Sequence, residues 1–342
     1  MLNLSSHDFA VWVTSTTELA LTPTAIALGN FDGLHLGHQQ VIQPILPSKI
    51  ARLVEEKSIL NSPSTPIYST VVSFNPHPQE FFSGKPKALL TPKSEKVQQL
   101  LKLGVEQLAL LPFDRELAAL SPEEFVEKIL VQQLRATYIS VGQDFHFGSK
   151  RSGTAKDLQT IAAKYNIPVT IVPLYICDGD SQSPGERISS SLIRQNLQDG
   201  NINRANQLLG RPYTLQGKVI EGQRLGRSIG FPTANLEIPP IKFLPRLGVY
   251  AVRVFQIGET LQENSFISFG VMNIGNRPTV SGINISVEVH LLDWSGDLYG
   301  KKLSVQLEKF IRPEQKFPSL EELKSQILQD SLEAKNFFQQ ER

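Results

Sequence analysis

Short apolar runs alternate with helically spaced apolar positions along the first half of the chain. Residues 25–28, 69–74, 107–111, 138–141 and 169–172 read as buried strands, being near-continuous in apolar and small residues. Helical patterns fall between them, over 37–45 and 157–165. A further helix opens with Thr91 as cap and Pro92 at its first position, and closes at Gly104. Ser121-Pro122-Glu123-Glu124 forms a capping box that predicts a helix to about Gln133. Strands alternating with helices imply an α/β domain with a parallel sheet, and such sheets bind ligands at the carboxyl ends of their strands. From about residue 213 the rhythm changes. Segments 250–255, 265–271, 285–293 and 303–310 follow one another through Gly, Asn, Pro and Asp turns, with 294–297 as one such turn. This half predicts an antiparallel β-barrel. A terminal helix opens at Ser319, with Leu320, Leu323, Ile327 and Leu328 as its apolar stripe. The change of rhythm divides the chain into domains 1–204 and 205–342, with 61–66 and 179–185 as loops.

Composition narrows the class. With 34 Lys+Arg against 33 Asp+Glu, the net charge of +1 excludes a generic polyanion binder, so no nucleic-acid partner is expected. Any phosphate chemistry must use locally placed groups. Hydrophobic residues make up 40% and charged residues 20% of the 342, which is ordinary for domains with a packed core. Cys177 is the single cysteine, so no intramolecular disulfide and no cysteine-based metal site can form. The first basic residue is Lys49 and no apolar run approaches a membrane span. The expectation is a cytoplasmic, soluble protein without a membrane partner, a monomer or weak homo-oligomer.

Residues 29–38, GNFDGLHLGH, join a predicted strand to a predicted helix. Gly29, Gly33 and Gly37 let the backbone turn tightly and approach a ligand, and the helix start beyond offers N–H groups to a phosphate. His35 and His38, three apart, can face one anion. The spacing is neither a Walker loop nor a dinucleotide fingerprint, and it points to attack at the α-phosphate of a nucleotide. The plainer alternative is a turn with two capping or core histidines. Residues 187–194, RISSSLIR, place Arg187, Ser190, Ser191 and Arg194 at a helix start, with Ser189 or Ser190 as cap and Gly200 as its end. Hydroxyls and guanidinium groups there suit a pyrophosphate, or else form a capped surface helix. Residues 74–78, FNPHP, leave a strand end and meet Phe81 and Phe82, walls for a flat aromatic ligand or simply a lined core. Residues 142–148 offer Asp144 near the same rim.

The second half carries its own constellation. Gly222, Gly226 and Gly230 make a loop able to wrap phosphates. Thr233 and Asn235, two apart, project to one side of an extended segment, and their oxygens suit Mg²⁺ held jointly with ATP phosphates. A glycine-rich hairpin with a polar edge is the alternative. On the strand 285–291, Ile285, Val287, Val289 and Leu291 face one way while Glu288 and His290 face the other. Glu288 is then either a solvated residue or the base for a hydroxyl attacking a γ-phosphoryl group.

GNFDGLHLGH, FNPHP, VGQDFHFG and RISSSLIR, in that order, resemble the adenylyltransferase motifs of the bacterial-type bifunctional riboflavin kinase/FMN adenylyltransferase family. LGRPY, GFPTAN, LGVY, VMNIGNRPT, VEVHLLD, LYG and FIR resemble its kinase motifs, so the likeness spans essentially the whole chain. Ser191 stands where many members have Thr, which keeps the hydroxyl. The resemblance implies a Rossmann-like nucleotidyltransferase domain followed by a six-stranded flavokinase barrel. It implies riboflavin, FMN, FAD and ATP as substrates and products, with Mg²⁺ at both sites. It assigns His35, His38, Arg187, Ser190, Ser191 and Arg194 to ATP phosphates and Asn30, Gly37 and Asp144 to the same nucleotide site. Pro78, Phe81 and Phe82 fall to the flavin, Gly226 and Gly230 to the kinase nucleotide, Thr233 and Asn235 to the metal, and Glu288 to proton transfer. The rival readings are another HxGH-type nucleotidyltransferase and a non-catalytic flavin-binding protein on the same fold.

Overall fold

The computed structural model describes residues 11–57, 66–177, 185–222, 230–258, 264–279 and 282–340. The chain forms two compact units, Met1–Ser189 and Ser190–Arg342.

The first unit is built on six strands: β1 (Trp12–Thr14), β2 (Thr24–Leu28), β3 (Tyr68–Asn75), β4 (Gln107–Pro112), β5 (Ala136–Gly142) and β8 (Val169–Val172). They lie in the order β1-β4-β3-β2-β5-β8, every neighbouring pair parallel. The order reverses direction around β2, which has β3 on one side and β5 on the other. Such a switch point leaves a crevice beyond the strand ends. β2 (TAIAL) is buried along its whole length, as a central strand covered on both faces must be. Ile26, Leu28, Ile139 and Val141 pack there against Phe125 and Leu130.

Helices α1 (Leu36–Ile42), α2 (Pro47–Lys57), α3 (Pro78–Ser83), α4 (Lys93–Leu103), α5 (Arg115–Ala119), α6 (Pro122–Glu124) and α7 (Ala155–Ala163) connect the strands. The Ser121 capping box forms as expected, and from Phe125 to Gln133 the chain winds with wider turns, so that the Leu134 N–H reaches the Ile129 carbonyl. α7 starts two residues earlier than expected, because Thr154 and Asp157 make a second capping box. The expected cap at Thr91 is corrected by one residue. Pro92 is the N-cap and α4 begins at Lys93, because Thr91 is committed to the turn after β2. Two short antiparallel pairs complete the unit: β6 (His146–Phe147) with β7 (Gly153–Thr154), and β9 (Ile176–Cys177) with β10 (Glu186–Arg187).

The second unit opens with α8 (Ser190–Asp199) and α9 (Ile202–Leu209). A boundary at 204/205 falls inside α9. There follow β11 (Tyr213–Ile220), β12 (Ala234–Glu237), β13 (Gly248–Ile257), β14 (Asn264–Thr279), β15 (Gly282–Leu291) and β16 (Lys302–Pro313), which close into a six-stranded antiparallel barrel in the order β11-β12-β15-β14-β13-β16. Ala234, Val289, Met272 and Tyr250 are successive register partners, all buried, and form one rung of the interior. The next residues along these strands, Asn235, Glu288 and Asn273, must then face outward.

The terminal helix, α10 (Leu320–Gln340), packs on the outer face of β13 and β14. Its seating corrects the expected leucine stripe. Leu320 and Leu328 are exposed, and the buried face is Asp330, Ser331, Ala334 and Phe338. Burial follows the helix's second half because Arg312 grips Asp330 there with hydrogen bonds of 2.8–3.2 Å, while Phe338 stacks on Phe269 at 4.2 Å.

Candidate active sites

The buried run of β2 delivers the chain to the switch point and then turns sharply. Phe31 and Leu34 take φ of 45°, and Gly33 takes 92°. A left-handed backbone at two bulky residues is strained, and it persists only where surrounding contacts enforce it. Those contacts are polar and buried. The Gly33 N–H donates to Thr91 Oγ1 at 2.9 Å, and the Thr91 N–H donates to Asp32 Oδ1 at 3.2 Å. The Asn30 carbonyl accepts from Ser73 Oγ at 2.9 Å and from Lys96 Nζ at 3.4 Å. Burial pulls the Lys96 ammonium below the ordinary lysine value, and the nearby Asp32 carboxylate opposes part of that shift.

The turn ends at His35, the N-cap of α1, whose Nδ1 accepts from the His38 N–H at 3.2 Å. With Nδ1 accepting, a neutral His35 ring carries its proton on Nε2. The His35 and His38 rings stack at 3.6 Å, and Phe31 meets His38 edge-on at 5.3 Å. A Cβ on Gly37 would stand 3.3 Å from the His35 ring, so the small residue there accommodates the imidazole. The two histidines are therefore brought together, as the spacing predicted.

Asp144 follows β5 on the other side of the switch point and is ion-paired with Arg187 of β10, both about half exposed. The β9–β10 pair, with Arg187 opposite Ile176, presents that arginine. The RISSSLIR segment straddles the division between the units. Ser190 and Ser191 begin α8, and Arg194 lies over the Phe243 ring at 5.4 Å within the second unit.

At the end of β3, Pro78 occupies the first turn of α3 and His77 caps it, its Nδ1 accepting from the Gln79 N–H at 3.0 Å. Phe81 and Phe82 meet edge-on at 5.2 Å, and Phe82 is 71% exposed. The sequence reading missed Phe113, the hub of this cluster, which lies edge-on to Phe74, Phe81 and Phe82 at 5.3–5.7 Å. Its one signal is its place just past β4, whose end pairs with that of β3.

On the barrel's outer face, Glu288 lies between two amides in the ladder, Asn235 on β12 and Asn273 on β14. Thr233 Oγ1 donates to Glu288 Oε2 at 3.2 Å. His290 Nδ1 contacts the Pro232 carbonyl at 2.9 Å, and its ring lies edge-on to Phe231 at 5.4 Å, which holds the segment leading into Thr233. A Cβ on Gly222 would collide with the Asn235 amide at 2.2 Å, so the glycine lets that chain pass close. Gly230 has φ of 90°, while Gly226 lies outside the described residues. Thr233, Asn235 and Glu288 are thus assembled as expected, and Asn273 joins them through a register that sequence spacing alone does not reveal. Hydroxyl, amide and carboxylate oxygens make a hard donor set suited to Mg²⁺. Among the described residues there is no group of three or more His, Cys, Asp or Glu able to hold a metal ion.

Comparison with known proteins matches the same two regions. The FAD synthetase family matches residues 18–191 and the riboflavin kinase family residues 209–338. The bifunctional riboflavin kinase/FMN adenylyltransferase of Escherichia coli (strain K12) is 42% identical over 318 residues, covering 92% of this chain and 92% of that protein. The Haemophilus influenzae protein of the same name is 38% identical, over 92% of this chain and 94% of its own length. That of Bacillus subtilis is 36% identical over 92% of each. A solved structure named as a macrolide-efflux protein from Streptococcus pneumoniae superposes with a TM-score of 0.77 at 29% identity, over 96% of this chain and 99% of that one. No helix among the described residues here is long and apolar enough to cross a membrane. The chain belongs to the bifunctional riboflavin kinase/FMN adenylyltransferase family.

Proposed function

We propose a division of labour along the chain in which residues 1–204 carry FMN adenylylation and residues 205–342 carry riboflavin phosphorylation. The chain is a transferase of FMN and FAD biosynthesis: riboflavin is phosphorylated by ATP, and FMN is then adenylylated by a second ATP with release of pyrophosphate.

In the kinase step Glu288 takes the proton of the ribityl 5′-hydroxyl as its oxygen attacks the γ-phosphorus and ADP leaves. Thr233 and Asn235 hold Mg²⁺, which when bound neutralises charge on the ATP phosphates. Gly226 and Gly230 admit the phosphates to the backbone. The observation that carries this reading is the placement of Glu288, which is paired with Asn235 across the ladder and bonded to Thr233 at 3.2 Å.

In the adenylyl step the FMN phosphate is already ionised at neutral pH, so no general base is required. Positioning and charge stabilisation remain. His35 and His38 contact the ATP phosphates, with Gly37 giving close approach, and Asn30 and Asp144 orient the reacting groups. Arg187, Ser190, Ser191 and Arg194 handle the triphosphate, again with Mg²⁺. Pro78, Phe81 and Phe82 hold the flavin, and Phe113 backs them. The enzyme works in the cytoplasm as a monomer or weak homo-oligomer, without nucleic-acid or membrane partners.

The test is to incubate the chain with riboflavin, ATP and Mg²⁺ and to separate the flavins by chromatography. Glu288→Gln lowers FMN formation by about 10²–10⁴-fold and leaves FMN-to-FAD conversion intact, and His38→Ala does the reverse. Equal loss of both steps in either variant refutes the assignment.

A further inference from the structure

The turn between β2 and α1 is held from behind by side chains at the start of α4 that no substrate touches in the reading above. We propose that Thr91 and Lys96 are positioning residues for FMN adenylylation, acting through the backbone of Asn30–Leu34 to set the stacked His35/His38 pair.

Both residues are almost fully buried, Thr91 at 3% and Lys96 at 7% exposure. A lysine that deep is unfavourable unless partnered, and its partners here, the Asn30 carbonyl and the nearby Asp32 carboxylate, both belong to the turn. Its Nζ donates to the carbonyl of Asn30, the residue that opens the turn. Thr91 grips the far side through two bonds of opposite sense, its hydroxyl accepting from Gly33 and its own N–H donating to Asp32. Phe31 lies between these grips and Leu34 directly after the second, each at φ 45°, so the chain would relax toward commoner geometry if either grip were released. His35 follows Leu34 directly, and the His38 N–H rests on the His35 ring. A shift of the turn therefore moves both imidazoles together. The same demand explains why Thr91 is diverted from capping α4.

The inference rests on the assignment of His35 and His38 to ATP phosphates, and the two are tested apart. His38→Ala is the control for that assignment: an active His38→Ala enzyme overturns it and this proposal with it. Given an inactive His38→Ala enzyme, Thr91→Val, which keeps the shape and removes the hydroxyl, lowers kcat for FMN adenylylation by about 10–100-fold. KM for FMN stays within about 2-fold, riboflavin phosphorylation by the same chain is unchanged, and Thr91→Ser restores kcat to near the wild-type value. Lys96→Met gives the same split. Should Lys96→Met fail to fold, the Val/Ser pair at Thr91 decides alone. Loss of both activities together, an effect confined to KM, or equal kcat in Thr91→Val and Thr91→Ser overturns the proposal.

Discussion

Removing the Asp330 carboxylate should destabilise the barrel unit more than any exposed ion pair could. Asp330 sits on α10 with its side chain 3% exposed, facing an Arg312 side chain that is 17% exposed. The guanidinium meets both carboxylate oxygens, from Nε at 2.9 and 3.2 Å and from Nη2 at 2.8 Å. Gln326 Nε2 adds a donor to Asp330 at 3.0 Å, and the Arg312 guanidinium lies 5.6 Å from the Phe317 ring. Asp330→Ala leaves that guanidinium largely buried without its counter-ion, and such an orphaned charge costs about 3–5 kcal/mol. A unit of about 150 residues shifts by about 2–4 °C per kcal/mol, so even the lower figure moves Tm down by about 6–12 °C. The assay is thermal melting followed by circular dichroism, paired with the temperature at which riboflavin phosphorylation is lost. The double variant Arg312→Met/Asp330→Leu orphans no charge and should lie within about 2 kcal/mol of the parent. A drop below 2 °C for Asp330→Ala, or a double variant worse than the single, refutes the view that the pair seats the helix.

Two further outcomes follow from the barrel. At Gly248, where φ is 150°, a Cβ would stand 2.3 Å from the Arg312 carbonyl oxygen, so Gly248→Ala should cost about 3 kcal/mol, measured as a fall in Tm. Burial pushes the Tyr250 phenol well above its usual value, and its hydroxyl donates to the Arg246 carbonyl. Because folding favours the protonated phenol, its contribution is full below the unfolded value of about 10 and fades as pH rises beyond it. Tyr250→Phe should flatten the alkaline fall of Tm while costing about 1 kcal/mol at neutral pH, and an unchanged alkaline limb would count against the linkage.

What could be read from the sequence divides by range. The central strands are legible because a strand covered on both faces needs a near-continuous apolar run, as in β2 and β4. The Ser121 capping box is legible because all its partners lie within one turn of chain. β1 was missed: three residues at a sheet edge, starting with the half-exposed Trp12, carry no period to detect. The leucines of α10 misled because an isolated amphipathic pattern does not say which half of a long helix finds a partner, and an arginine on β16 decided that. The site residues split the same way. His35 with His38, and Thr233 with Asn235, are local pairs visible as spacing. Phe113, Asn273, Thr91 and Lys96 act through pairings with other elements, from 15 residues away for Asn273 with Glu288 to 66 for Lys96 with Asn30, or through burial, and neither is written in local pattern.

The two reactions ask for different supports, and the chain supplies each where its secondary structure makes it cheap. Phosphoryl transfer to an alcohol needs a base fixed to within a fraction of an ångström. Under the proposed assignment a position in the middle of a β-ladder provides that, since Glu288 has a paired strand on each side and its neighbours Asn235 and Asn273 fall beside it by register alone. No unusual backbone is required, and a substitution there should act locally, through the atoms it removes. Adenylyl transfer to an already ionised phosphate needs no base but does need donors gathered around a spreading negative charge. Under the same proposal those come from a turn bent more tightly than its Phe and Leu residues prefer, with φ of 45° at Phe31 and Leu34, and a turn of that kind holds only while something restrains it. The restraint lies outside the motif, in Ser73, Thr91 and Lys96. Sensitivity in the first unit should therefore extend to buried residues that never meet ATP, whereas in the barrel it should stop at the outer-face residues around Glu288.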